Sequence, residues 1–154
     1  MQKNTLRILS IFTLVFFVMS MSAAATSTTG GKVVEATKLN QINTALHHGP
    51  VFLRLGASWC PHCKLFAPTL KELAKEYAGE ATFISVDIDR SPTLARYFGV
   101  SVIPDCSVIV NIKNGKYVYM QQNGKTTNAR YKAKIFDDRS KSVYEKVLNY
   151  ATRK

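Results

Sequence analysis

The sequence feature that most constrains this chain is a pair of cysteines, Cys60 and Cys63, placed directly after an apolar run. The run, residues 51–55, is almost continuously apolar, which is typical of a central strand covered on both faces. Residues 62–77 then carry apolar side chains at helical spacing, with Pro68 among them as a point where we expect a kink. The pair therefore lies where a strand gives way to a helix, within bridging distance of each other.

Two cysteines at this spacing are typical either of a redox switch or of half a zinc site. In the redox reaction a thiolate attacks a disulfide sulfur, a mixed disulfide forms, and a second nearby thiol resolves it. A four-ligand zinc site instead needs two more Cys or His residues at matched spacing. The remaining candidates form no such second pair: Cys106, His47, His48 and His62. The pattern favours redox chemistry, with no metal and no cofactor other than the Cys60–Cys63 disulfide itself.

The N-terminus has the organisation of a targeting segment. Lys3 and Arg7 precede the uncharged apolar residues 8–21, and small residues up to Ala25 follow. This predicts a signal peptide, residues 1–25, that is cleaved after Ala25. A retained anchor is the alternative, because the uncharged stretch continues to Gly31 and a membrane span needs about 20 apolar residues. Both interpretations predict a domain outside the cytoplasm, periplasmic or secreted, and membrane association only if residues 8–25 remain as an anchor.

The rest of the 154 residues is one domain's worth of chain. We expect a flexible leader at residues 26–31 and a single domain at residues 32–154. The net charge is +11, and loss of Lys3 and Arg7 with the signal peptide leaves +9. Such a charge first suggests a nucleic acid partner. The basic residues are scattered, however, and the predicted compartment argues against nucleic acid, so we interpret them as a solvated basic surface.

Helical and strand patterns alternate along the domain before a hairpin completes it. The predicted strands are residues 32–35, 51–55, 82–86, 106–112 and 116–121, and the predicted helices are residues 39–47, 62–77, 92–98 and 140–150. Asn114-Gly115 predicts a type I′ turn between the last two strands, and residues 124–139 read as a loop or irregular extension. This order predicts an α/β fold with a mixed sheet, with the cysteine pair at the carboxyl end of a central strand.

The domain resembles the thioredoxin family over nearly all of residues 32–150. The resemblance is carried by several motifs in order: residues 57–64 around the cysteine pair, Ala67-Pro68, residues 86–89, residues 99–104, and Lys113-Asn114-Gly115. It implies the thioredoxin fold, a mixed central sheet flanked by helices on both faces. It also implies that Cys60 is the nucleophile and that Cys63 is the buried resolving thiol.

The resemblance implies further roles around the pair. Trp59 would lie as a lid over the disulfide, and Ile103-Pro104 would be the family's cis-proline loop, which offers backbone groups to a bound substrate strand. The dipeptide Pro61-His62 resembles that of DsbA-type periplasmic oxidases, whereas reducing thioredoxins carry Gly-Pro. A helix N-terminus and a protonated His62 should both stabilise a thiolate at Cys60, which makes the disulfide a better oxidant.

Several positions depart from these families. Arg54 stands where thioredoxins usually have a buried acid, and Ser85 where they usually have a lysine. We expect Arg54 to favour thiolates and raise the reduction potential, or to find a carboxylate such as Asp87 or Asp105. Cys106 stands at a usually apolar core position, so it is either a packing residue or a third redox thiol. The short connection before Ile103-Pro104 leaves no room for the helical insertion of DsbA.

The sequence therefore predicts an extracytoplasmic thiol:disulfide oxidoreductase that works in the oxidising or isomerising direction. Its partners would be proteins with thiols or disulfides and a redox partner that recycles the enzyme, for which a membrane-bound protein is one option. One alternative is a reductase for envelope proteins or cytochrome maturation. Another, from a different class, is a non-catalytic thioredoxin-like module that binds peptides or metal through the two cysteines.

Overall fold

The computed structural model describes residues 31–135 and 140–153. The predicted signal peptide, residues 1–25, lies outside the described residues, as does the predicted leader apart from Gly31. Within the described ranges, no helix has the length and apolar character that a membrane crossing requires.

In the described part of the chain, six strands form one mixed sheet in the order β1-β3-β2-β4-β5-β6. The strands are β1 (Val33–Glu35), β2 (Val51–Gly56), β3 (Thr82–Asp87), β4 (Asp105–Lys113), β5 (Lys116–Met120) and β6 (Thr126–Thr127). Strand β3 pairs in parallel with both β1 and β2, whereas β4 pairs antiparallel with β2 and begins an antiparallel β4-β5-β6 meander. The predicted mixed sheet is confirmed, with β2 at its centre.

Four helices among the described residues cover the two faces of this sheet: α1 (Leu39–Leu46), α2 (Pro61–Glu76), α3 (Pro92–Tyr97) and α4 (Lys141–Thr152). One core cluster joins the sheet to α2 and α4, and a second joins the other face to α1 and α3. Successive β2 side chains point to opposite faces, so Phe52 lies in the first cluster and Leu53 in the second. This two-sided burial accounts for the continuous apolar run, and it confirms helices on both faces.

Aromatic packing fixes α2 and α4 over the sheet. Phe52 stacks on Phe83 with ring centroids 5.1 Å apart, and Phe66 of α2 meets Tyr144 of α4 at 4.8 Å. All four rings are nearly inaccessible to solvent. Burial of each such side chain stabilises the fold by about 1.5–3 kcal/mol, so the position of α2 over the sheet is strongly determined.

The predicted hairpin is confirmed, since both residues of the Asn114-Gly115 turn have positive φ, 51° and 71°. That combination is what a type I′ turn requires. Helix α2 continues through Pro68 as one element. The other element boundaries agree with the sequence to within one or two residues, which is the usual spread at fraying ends.

The interpretation of residues 124–139 as a loop or irregular extension is wrong for part of the described segment. Residues 126–127 form β6, a 3₁₀ turn follows at Arg130–Lys132, and Ile135 makes an isolated antiparallel bridge with Cys106. A two-residue strand and a single bridge are too short to produce a periodic pattern of apolar residues in the sequence. The basic residues of the segment also give it the composition of an exposed loop. Nevertheless Ala133 and Ile135 are buried, so this segment packs against the sheet.

Candidate active site

The cysteine pair lies at the carboxyl end of β2, where the chain turns into α2. Pro61 occupies the first turn of the helix, where its missing N–H costs no hydrogen bond and its fixed φ suits the helix. Cys60 is the N-cap residue, in an extended conformation, and its Sγ accepts a hydrogen bond from the backbone N–H of Cys63 at 3.2 Å. A sulfur therefore takes the place of the oxygen that usually caps a helix.

Both sulfurs belong to largely buried side chains, with Cys60 3% and Cys63 1% exposed. The loop before β4 reaches the pair from the neighbouring strand, so that the carbonyl oxygen of Ile103 lies 3.9 Å from the Cys60 Sγ. The Ile103–Pro104 peptide bond is cis. The structure therefore brings together Cys60, Cys63 and the Ile103-Pro104 loop, as the family resemblance implies.

Trp59 is 61% exposed beside this pair. Its indole Nε1–H donates a hydrogen bond of 2.7 Å to the Asp89 carboxylate, which follows the end of β3. Its ring is thereby tethered while much of its surface stays open to solvent. His62 also lies on the exposed side of the first turn of α2. In the sequence, Asp89 is identified only as part of the motif at residues 86–89, because no local pattern predicts its contact with Trp59.

Cys63 lies beneath the first turn of α2, where its environment acts on its thiol in opposite directions. Burial raises the pKa of Cys63 above its ordinary value, and the hydrogen bond with Cys60 raises it further. A backbone hydrogen bond at Ala57 and the positive charge of Arg54 act against this rise. Because burial is the largest effect, the protonated thiol is the favoured form of Cys63 at neutral pH.

Arg54 is half-buried in β2, on the sheet face that carries Cys63. Its Nη1 donates a 3.0 Å hydrogen bond to the Ser85 Oγ, since Arg54 and Ser85 are register partners on neighbouring strands. A Cβ placed at Gly56 would lie 2.7 Å from the guanidinium carbon and 2.8 Å from the Cys63 Sγ. The guanidinium and the Cys63 thiol therefore meet over Gly56, in the space that its missing side chain leaves.

The expectation that Arg54 pairs with the carboxylate of Asp87 or Asp105 is wrong for the described residues, where its partner is the Ser85 hydroxyl. Asp105 is held by Arg130 and Lys134 instead, and Asp87 lines a cavity of about 380 Å³ that also exposes Arg54 and Cys63. In the part of the chain that the structure describes, no ion pair joins Arg54 to either acid. Ser85 takes that place because strand register, rather than charge, decides which side chain faces the guanidinium.

Cys106 lies opposite Arg54 in the register of β2 and β4, fully buried in the cluster beneath α2 and α4. Burial raises the pKa of its thiol far above the ordinary value, so it is uncharged. Over the described ranges, no group of three or more Cys, His, Asp or Glu side chains is arranged to hold a metal ion.

Comparison with known proteins identifies the family. The profile of the thioredoxin family matches residues 32–137, more than half of the chain. The chain belongs to the thioredoxin family. Its thioredoxin relatives include one from Staphylococcus saprophyticus, 34% identical over 86 residues that cover 56% of this chain and 79% of that protein. Another, from Haemophilus influenzae, is 39% identical over 72 residues that cover 47% of this chain and 64% of that protein.

A third relative is the chloroplastic thioredoxin M5 of rice, Oryza sativa, which is 36% identical over 86 residues, 55% of this chain. This chain spans only 48% of the length of the rice protein and 64% of that from Haemophilus influenzae. The similarity to these thioredoxins therefore covers about half of this chain.

Solved thioredoxin structures share the fold. A thioredoxin mutant from Halobacterium salinarum superposes with a TM-score of 0.61 at 15% identity, covering 80% of this chain and 93% of that one. The short form of spinach chloroplast thioredoxin f gives a TM-score of 0.57 at 24% identity, covering 79% and 95%. The thioredoxin fold predicted from the motifs is confirmed.

The contact over Gly56 gives a stability prediction. Gly56→Ala should destabilise the protein by about 1–3 kcal/mol, because the new methyl group must displace the guanidinium of Arg54 and the Cys63 sulfur. Urea unfolding of Gly56→Ala, Arg54→Ala and the double variant measures this. Loss of the guanidinium relieves part of the overlap. We therefore expect the double variant to lose about 0.5–1 kcal/mol less unfolding free energy than the two single variants lose together. Strictly additive effects would contradict this geometry.

Proposed function

We propose that this protein is a thiol:disulfide oxidoreductase that works through Cys60 and Cys63. The observation that carries the proposal is the capping hydrogen bond, in which the Cys60 Sγ at the start of α2 accepts from the Cys63 N–H at 3.2 Å. The same contact keeps the second sulfur within one helical turn of the first. This arrangement serves both halves of thiol exchange, attack and resolution.

In the reducing direction, the Cys60 thiolate attacks one sulfur of a substrate disulfide, and the substrate's S–S bond breaks. The released substrate thiolate takes a proton, which leaves a mixed disulfide between Cys60 and the substrate. Cys63 then loses its proton and attacks the Cys60 Sγ, which releases the second substrate thiol and leaves the Cys60–Cys63 disulfide. In the oxidising direction, a substrate thiolate attacks the Cys60 Sγ of that disulfide, and Cys63 leaves as a thiolate that takes a proton. A second substrate thiolate then attacks the substrate sulfur of the mixed disulfide, which forms the substrate disulfide and releases Cys60, and the recycling partner accepts the two electrons of the reduced pair.

The surroundings assign different tasks to the two sulfurs. The N–H of Cys63 and the helix N-terminus point to the Cys60 sulfur, and a hydrogen bond to a thiolate is stronger than one to a neutral thiol. Cys63 is protonated while it is buried, because burial raises its pKa. Attack by Cys63 therefore requires loss of a proton, and the rate of resolution should rise with pH.

We propose the oxidising or isomerising direction, with a DsbA-type active-site dipeptide. Support comes from two cationic side chains, Arg54 beside Cys63 and, when protonated, His62 between the cysteines. Stabilising either thiolate stabilises the reduced pair, so the disulfide becomes a stronger oxidant. A specific observation favours the reductase alternative: burial of Cys63 raises its pKa, and a thiol with a high pKa is a poor leaving group.

The proposed substrates are proteins that carry thiols or disulfides, bound in extended form. The exposed ring of Trp59 offers an apolar surface, and the backbone at Ile103 offers hydrogen-bonding groups beside the Cys60 sulfur. The proposed site of action is outside the cytoplasm, supported by the N-terminal sequence through Ala25. A partner in the same compartment would restore the starting redox state.

Serine variants test the assigned thiols. Cys60→Ser should abolish disulfide exchange, because no nucleophile remains at the helix N-terminus. Cys63→Ser should accumulate a mixed disulfide with a peptide substrate and lower turnover at least about 10³-fold, since nothing resolves it. Mass spectrometry and a peptide-reduction assay measure the two effects.

Cys106→Ala is the matched control, since it removes a cysteine from the core rather than from the pair. Its exchange rate should stay within about twofold of wild type. Exchange that survives in Cys60→Ser would refute the nucleophile. Peptide binding without any exchange by the wild type would instead favour a non-catalytic module.

The redox direction is tested by the equilibrium potential of the pair in a glutathione buffer. We expect a value more oxidising than that of thioredoxin, about −270 mV. His62→Gly should move it towards reducing values by tens of millivolts, where about 30 mV corresponds to 1.4 kcal/mol. Arg54→Met should move it less, because Cys63 is protonated in the reduced pair. His48→Gly, an exposed histidine at the opposite end of β2, is the control and should leave it unchanged. A wild-type value at or below about −270 mV would support the reductase.

The proposed compartment is tested with the full chain in a bacterial host that has a periplasm. We expect the periplasmic fraction to contain a protein whose N-terminus is Thr26, by intact mass. Ala25→Leu should block cleavage and retain the segment, because the cleavage site requires a small residue there. Full-length protein in the cytoplasm of cells that express the wild type would contradict the proposal.

A further inference from the structure

The segment after β6 makes buried ionic contacts close to the substrate loop. The Asp105 carboxylate is 0% exposed, and two cations bind it. Arg130 uses both terminal nitrogens, with Nη2 at 2.5 Å from Oδ1 and Nη1 at 3.1 Å from Oδ2. Lys134 places its Nζ 2.9 Å from Oδ2. The two cationic side chains are only 9% and 10% exposed, so these pairs are shielded from water and salt.

The same two cations also reach the other end of the loop that carries Ile103-Pro104. Arg130 Nη1 donates to the carbonyl oxygen of Phe98 at 2.8 Å, and Lys134 Nζ donates to that of Gly99 at 3.4 Å. The Arg130 guanidinium in addition lies 5.4 Å from the centre of the Phe98 ring. Residues 98–99 begin the loop after α3, and Asp105 directly follows Pro104 at the start of β4.

The loop between these two points, residues 99–104, is named here the proline loop. Within this loop the described chain shows two backbone hydrogen bonds, both at its start, from Gly99 back to Arg96 and from Val100 back to Ala95. Val102 is 60% exposed, and Ile103 presents its carbonyl oxygen 3.9 Å from the Cys60 Sγ. The position of this loop therefore depends on how its two ends are held.

We propose that Asp105, Arg130 and Lys134 form a clamp that positions the proline loop against Cys60 for substrate binding. This inference rests on the proposed function and deepens it. The three residues touch neither sulfur, so they are positioning residues rather than catalytic ones. A planar guanidinium can bind a carboxylate through two nitrogens and donate to a carbonyl oxygen at the same time. It thereby fixes the relative orientation of these groups, which a single ammonium group cannot do.

The clamp predicts a selective defect when it is weakened. An extended peptide would contact the backbone of the proline loop, whereas a small disulfide such as 2-hydroxyethyl disulfide needs only the Cys60 sulfur. Arg130→Lys keeps the charge but loses the two-nitrogen contact with Asp105. We expect kcat/KM for a peptide disulfide to fall about tenfold, chiefly through KM. The rate constant for the small disulfide should change by less than about twofold.

Amide hydrogen exchange of the full chain gives a readout that does not need activity. The amides of Gly99 and Val100, which donate backbone hydrogen bonds at the start of the loop, should exchange at least about tenfold faster in Arg130→Lys, while those of β2 should be unchanged. Val147→Ala is the stability control, because it removes buried methyl groups from α4 and leaves the clamp intact. This control should lower the unfolding midpoint without the selective loss of peptide activity.

Peptide activity and loop exchange within about twofold of wild type in Arg130→Lys would overturn the inference. Equal losses of activity towards the peptide disulfide and the small disulfide, of the size seen in Val147→Ala, would also overturn the inference. If Arg130→Lys does not fold, Lys134→Gln replaces it under the same criteria, since it keeps the Arg130–Asp105 contact. A wild-type protein inactive towards both disulfides would refute the proposed function, and hydrogen exchange would then decide the clamp alone.

Discussion

The candidate site depends on one hydrogen bond, from the backbone N–H of Cys63 to the Cys60 Sγ. It can form only if a helix starts at Pro61, and the start of that helix is fixed by its buried face rather than by its first turn. Phe66, Leu70 and Leu73 pack in the core cluster between the sheet and α2, α4. The apolar packing of the helix therefore determines where the Cys63 N–H group and the two sulfurs meet.

The centre of the sheet adds a second constraint. Side chains alternate along β2, so the face that carries Phe52 also carries Arg54 and then Gly56, directly below the cysteine pair. A cation in such a place loses hydration, and its Nε has no hydrogen-bond partner among the described residues. Its bond to Ser85 and its contact with a thiol that can become a thiolate offset part of that cost. The absence of a side chain at Gly56 makes this contact possible.

The sequence predicted the features that local patterns determine. The apolar run of β2, the helical spacing of α2 and the Asn114-Gly115 turn each leave a signal within a few consecutive residues. Partners that lie far apart in the chain leave none. Ser85 is 31 residues from Arg54, and its position follows from the register of two parallel strands. Arg130 is 25 residues from Asp105, in a basic stretch whose composition resembles an exposed loop. Charge complementarity predicts a carboxylate as the partner of Arg54, whereas the strand register places the Ser85 hydroxyl beside it.

The redox direction depends on the free-energy difference between the dithiol and disulfide states of the cysteine pair. A contact shifts the reduction potential only if its strength differs between these two states. The capping N–H and the Arg54 guanidinium both interact more strongly with a thiolate than with a disulfide sulfur, which favours the reduced pair. Burial of Cys63 opposes them, because it penalises the charged form and raises the pKa. Once Cys63 is protonated, the charge of Arg54 contributes little to the reduced state. Arg54 therefore acts chiefly where Cys63 is transiently ionised, as attacking or leaving group, and its effect on rates should exceed its effect on the equilibrium potential.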